Sequence, residues 1–203
     1  MKPNKIALFT IAVGKDSINS VCQNIPCNKK YFGQNQDVDY FLFTNTEKKI
    51  KDVVNIPCSS SPWPYTMLLK NSSIYNYLDK INGWDEYTHV FFIDADFGIG
   101  NKYDFFQHDF VLVKSCWNDK NNGGFFYGGK TECFKQLCEL FYEKIQFHYE
   151  NNLPVPCDLD EFYLGLLRER YAEKNHLIEM NRQNNTLIFH NNETIDERIQ
   201  KLF

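Results

Sequence analysis

FFIDADFGIG, residues 91–100, ends an apolar run in two carboxylates one residue apart, with two glycines close behind. The run begins at His89, and HVFFI (89–93) has the length and the aromatic and β-branched content of a buried strand. In a strand, residues i and i+2 point the same way, so Asp94 and Asp96 are expected to converge on one spot. Paired carboxylates repel unless a cation or a proton lies between them, and hard oxygen donors select Mg²⁺ or Mn²⁺. Such an ion commonly completes its shell with water and substrate phosphate, which points to a diphosphate ligand. The competing reading is a solvated turn, since a bare Asp-x-Asp is common.

Outward from that stretch, strands alternate with helices. Ile6–Val13 is apolar throughout and ends in Gly14-Lys15-Asp16; YFLFT (40–44), Val53–Ile56, Phe110–Val113 and TLIFH (186–190) read as further strands. A helix is expected from Thr66, with Met67, Ile74, Tyr77, Leu78 and Ile81 at helical spacing and Gly83 as its stop. NNGGFFYGGK (121–130) reads as a glycine-rich segment ahead of an amphipathic helix carrying Phe134, Leu137, Cys138, Phe141 and Ile145. DLDEFYLGLLRERYAE, from Asp158, opens another helix. The pattern predicts an α/β fold, a mostly parallel central sheet flanked by helices, in a single domain over 1–203. In such sheets ligands bind outside the carboxyl ends of the strands, where Asp94 and Asp96 fall.

Composition narrows the function. The chain has 203 residues, 43% of them hydrophobic, with 18 Phe and 12 Tyr, enough to build one large core. A formal charge of −4 and scattered lysines argue against nucleic acid as partner. The seven cysteines include no Cys-x-x-Cys pair, which disfavours zinc. The first apolar run is too short to span a membrane, so no transmembrane segment and a cytoplasmic location are expected. Asn71-Ser-Ser, Asn184-Asn-Thr and Asn192-Glu-Thr match glycosylation acceptors, as an asparagine-rich chain does by chance. No GxxxxGK[ST] loop is present. Phosphatases with an aspartyl nucleophile also use Asp-x-Asp, but at the end of their first strand; here that strand ends in VGKD.

Six stretches, in order, resemble glycosyltransferase family 6, which holds the blood-group A and B transferases, the α-1,3-galactosyltransferases and shorter bacterial relatives. They are IALFTIAVGK (6–15), YFLFTN (40–45), PWPYTMLLK (62–70), FFIDAD (91–96), GGFFYGG (123–129) and DLDEFYL (158–164). The resemblance implies a GT-A type fold. It also implies retaining transfer of galactose or N-acetylgalactosamine from a UDP-sugar to a glycan hydroxyl, in an α-1,3-type linkage, with Mn²⁺ or Mg²⁺. By the same resemblance Ile11, Ala12 and Val13 contact uracil, and Asp94 holds ribose and metal. Asp96 ligates the metal and Lys70 faces the sugar or diphosphate. Gly123, Gly124, Gly128 and Gly129 line the sugar pocket, Glu161 lies beneath the anomeric carbon, and Asp160 holds sugar hydroxyls.

Plainer readings stand beside these. Asp158-Leu-Asp-Glu161 also fits a helix capping box, GGFFYGG a turn, and Lys70 a solvated lysine. His190 is a candidate third metal ligand that the resemblance does not supply. Leu159 stands where relatives carry a His, and Asp16 where they commonly carry an aromatic residue. A non-catalytic binder of nucleotide-sugar or glycan, or a transferase using another donor such as UDP-glucose, remains an open alternative. Oligomeric state is not encoded in any motif.

Overall fold

A computed structural model describes residues 5–47, 49–59, 65–114, 122–153, 161, 164, 175–178, 180–183 and 186–189. In chain order these form β1 (Lys5–Ala12), α1 (Lys15–Tyr31), β2 (Asp37–Thr44), β3 (Val54–Pro57) and α2 (Tyr65–Tyr77). A π-helical turn (Leu78–Asn82) extends α2. There follow β4 (His89–Ile93), β5 (Gly98–Ile99), β6 (Phe110–Lys114), β7 (Asn122–Lys130), α3 (Thr131–Glu150), β8 (Asn175–Ile178), β9 (Met180–Gln183) and β10 (Thr186–Phe189).

The main sheet has seven strands in the order β3-β2-β1-β4-β7-β6-β8. β1 pairs in parallel with β2 and β4, β2 with β3, and β6 with β8, while β7 runs antiparallel between β4 and β6. The mixed α/β architecture with a mostly parallel sheet thus agrees with the sequence pattern. A smaller sheet of three strands, β5-β10-β9, adjoins it.

β1 and β4 sit centrally because both of their faces are apolar. Side chains alternate: Ala7, Phe9, Val90 and Phe92 belong to one core with Ile74 of α2 and Phe134, Leu137 and Phe141 of α3. Ile6, Leu8, Phe91 and Ile93 belong to another with Phe32, Phe97, Phe105 and Phe126. α1 closes that second face through Ile18 and Val21, packed with Ala12 and Leu42. Helices therefore cover the sheet on both sides. Ring pairs dominate the packing, with Phe9 stacked on Phe41 at 4.7 Å and Phe91 on Phe126 at 5.8 Å; each such pair adds about 0.5–1.5 kcal/mol beyond area burial.

Beside the short strands β5, β8 and β9, which were not expected, two longer elements depart from the sequence reading. α1 was not expected, because its stripe of Ile18, Val21, Cys22 and Ile25 is diluted by polar residues and interrupted by Pro26. GGFFYGG is neither turn nor loop but the body of β7 inside the main sheet. Glycine weakens a strand only where a side chain is needed to pack, and here neighbouring backbones occupy that space. A Cβ on Gly128 would strike the Val90 carbonyl and lie 2.6 Å from Phe91 Cα, and one on Gly129 would strike the Asp109 carbonyl and lie 2.7 Å from Phe110 Cα.

Candidate active site

Parallel β1, β2, β3 and β4 end at a common edge, and β7, running the other way, begins there. Phe9 of β1 pairs with Phe92 of β4. Carrying that register on by two residues sets Ile11 beside Asp94. Ile11 and Val13 are half-buried and Ala12 is buried, so the sequence-predicted uracil contacts and the first aspartate occupy neighbouring positions on this edge. Beyond them Gly14 adopts φ 87° and heads α1, a conformation that favours glycine. Its N–H donates to Asn45 Oδ1, just past β2, at 3.1 Å.

β4 stops at Ile93, so neither Asp94 nor Asp96 is a strand residue. Asp94–Phe97 forms a turn in which the Phe97 N–H donates to the Asp94 carbonyl at 3.2 Å. Strand periodicity therefore does not bring the two carboxylates together; it aims the first alone. Val90 and Phe92 face α2 and α3, and Asp94 continues that parity. Asp96, two residues on, is exposed. The turn is fastened to β7, since the Asp94 N–H donates to the Phe125 carbonyl at 2.8 Å and Phe97 stacks on Phe125 at 4.8 Å.

Lys70 of α2 meets Asp94 here, and it is not a solvated lysine. Its side chain is 1% exposed, against 25% for Asp94, with Nζ 3.8 Å from Asp94 Oδ1. Nζ also donates to the Gly124 carbonyl at 3.0 Å and lies 4.5 Å from the Phe92 ring centroid and 5.5 Å from that of Tyr127. Removing an ammonium from water is costly, and a carbonyl, a carboxylate and two ring faces are among the groups that offset the cost. Next to it Asn71 is fully buried and accepts from the Tyr127 hydroxyl at 2.7 Å. That burial explains why Asn71-Ser-Ser is no accessible glycosylation acceptor.

The glycines divide between two roles. Gly123 and Gly124 lie at the start of β7, on the site edge, and Gly124 supplies the carbonyl that holds Lys70. Gly128 and Gly129 pair with Phe91 and Val90, deeper in the sheet, and both are buried. The expectation that these two line a sugar pocket is corrected: they are glycine because adjacent strand backbones leave no room for a Cβ.

Glu161 is helical and half-buried. Leu164, three residues on and on nearly the same helical face, is buried in the core that also holds Phe92 and Ile74. Glu161 thus belongs to the side of the sheet that carries Lys70 and Asp94. Asp160, the Asp158 cap and His190 lie outside the described residues.

The donor set suits a hard cation. Asp94 and Asp96 offer only carboxylate oxygens, both reachable from solvent, and one or two carboxylates suffice for an ion that keeps water and phosphate in its shell. Among the described residues no cluster of three or more His, Cys, Asp or Glu supplies a fuller cage. Away from this edge, burial pushes the Tyr40 hydroxyl up to about 12, and burial followed by the Lys130 charge lowers His89, at the far end of β4. Asn24, Asn28 and Asn45, which tie the loops of this edge, escaped the sequence reading because asparagine is common throughout the chain.

No protein-family model matches this chain, and no curated protein is significantly similar to it. No helix among the described residues is long and apolar enough to cross a membrane.

Proposed function

We propose that the chain is a metal-dependent glycosyltransferase of the GT-A type, moving galactose or N-acetylgalactosamine from a UDP-sugar to a glycan hydroxyl with retention. The observation that carries this reading is the buried Lys70 ammonium beside Asp94, on the strand edge shared with Ile11 and the Gly14 turn. A fixed positive charge beside a carboxylate on this edge suits a leaving diphosphate. Further support comes from the mostly parallel sheet, with the carboxylates at the carboxyl end of a central strand.

In this reading Ile11, Ala12 and Val13 pack on the base, and Asp94 and Asp96 hold the Mn²⁺ or Mg²⁺. When bound, that ion offsets charge on the diphosphate. Lys70 adds a preorganised positive charge that needs no rearrangement as the bond breaks. The bond between the anomeric carbon and the diphosphate oxygen breaks, and one to the acceptor oxygen forms, releasing UDP and a proton. Glu161, with Asp160 beside it, is the carboxylate assigned to the developing positive charge on the sugar, by the principle retaining glycosidases use.

The test is UDP release from UDP-galactose, UDP-N-acetylgalactosamine and UDP-glucose, with Mn²⁺ and with chelator, for the native chain, Asp96→Asn and Glu161→Gln. Metal-dependent release that disappears in both variants is expected. UDP binding without release, unaffected by Glu161→Gln, would make the chain a nucleotide-sugar binder. Absence of both release and binding would remove the transferase reading.

A further inference from the structure

Two asparagines of α1 grip the backbone of the carboxylate turn. Asn24 Nδ2 donates to the carbonyl of Ala95, the residue between the two aspartates, at 3.1 Å. One helical turn later Asn28 Oδ1 accepts from the Ile99 N–H at 2.8 Å. The two grips bracket residues 95–99, and the space between is filled: a Cβ on Gly98 would lie 3.1 Å from Asn24 Oδ1. Asn28 is 5% exposed, so its amide is committed to this contact rather than to solvent. Asparagine is a weak choice for a helix interior, and two of them spaced i, i+4 on the face turned to one loop call for a reason beyond helix formation.

That reason lies in what the turn carries. Asp96 is exposed and lies outside the strand ladder, so its position rests on the backbone of the turn. The Phe125 carbonyl holds that backbone on the β7 side, and α1 holds it on the other. We propose that Asn24 and Asn28 are positioning residues that set the Asp94–Ala95–Asp96 backbone for metal and diphosphate, so that metal-dependent nucleotide affinity runs through α1. The role rests on the transferase reading above; the clamp itself does not.

Two measurements separate them. Asn24→Leu keeps the side-chain volume and removes the donor. Calorimetric titration of UDP with Mn²⁺ and with chelator should show metal-dependent affinity weakened roughly tenfold, as for lost partners of metal ligands, with chelator-state affinity unchanged. Hydrogen exchange on the same variant, without nucleotide, should show faster exchange in residues 94–99 and no change in β1 or β4. Unchanged exchange in the turn overturns the clamp. Equal weakening with and without metal, or no weakening, overturns the positioning role. If the native chain binds no UDP, the transferase reading fails and the positioning role fails with it, while the exchange result still decides the clamp.

Discussion

Lys70→Met keeps most of the buried stem and removes the charge, leaving the Gly124 carbonyl without its ammonium donor and Asp94 without its neighbour. Hydrogen bonds to charged groups contribute about 1.5–3 kcal/mol, so denaturant unfolding should show a loss of that order. UDP release should fall roughly a hundredfold, the scale of a lost electrostatic stabiliser; unchanged release would assign Lys70 to structure alone. Asp96→Asn is the opposite case. The side chain is exposed, so stability should stay within about 0.5 kcal/mol, while metal-dependent UDP binding in calorimetry should vanish. The sequence made Asp94 and Asp96 visible because acids after an apolar run are conspicuous. It did not reveal that Lys70 is buried, because its neighbours are brought together only when α2 packs across β4 and β7.

β7 shows how an element can be legible in composition and misread in role. Its glycines looked like a turn and a pocket, yet Gly128 and Gly129 let three strands approach closely. Gly128→Ala and Gly129→Ala should each destabilise by about 1–3 kcal/mol through overpacking. UDP affinity of the folded fraction should be unchanged; calorimetry alongside thermal melts separates the two effects, and a selective loss of affinity would restore the pocket role. β1 and β4 were legible as unbroken apolar runs, and α3 by its helical periodicity. α1 was not, because Pro26 and its polar residues blur a stripe that only the sheet beneath it makes decisive. Its asparagines contribute through two backbone groups of a distant loop, a contact with no sequence signature.

At the scale of the whole molecule, one described group whose charge changes near neutral pH lies far from the proposed chemistry. His89 is buried at the start of β4, with Nδ1 3.0 Å from the Thr88 hydroxyl. Burial, and then the Lys130 charge, lower its pKa below the usual value, against a smaller opposing pull from Asp104. The unfolded chain therefore binds the proton first. Stability is fully present above the unfolded value of 6.5 and is lost as pH falls from there toward the folded one. Denaturant midpoints at about pH 7.5 and about pH 5.5 should separate more for the native chain than for His89→Gln; equal separations would place the acid sensitivity elsewhere. Sheet order carries a different consequence, one for synthesis. β1 is flanked by β2 and β4, and its partner across Ile6↔His89 arrives only after the intervening helices have been made. Until then a nascent chain holding β1, β2 and β3 presents an open, two-sided apolar edge, the template on which strands of other chains add. The strand that leads to the carboxylates is thus also the seal on that edge, and any delay in delivering residues 89–93 prolongs its exposure.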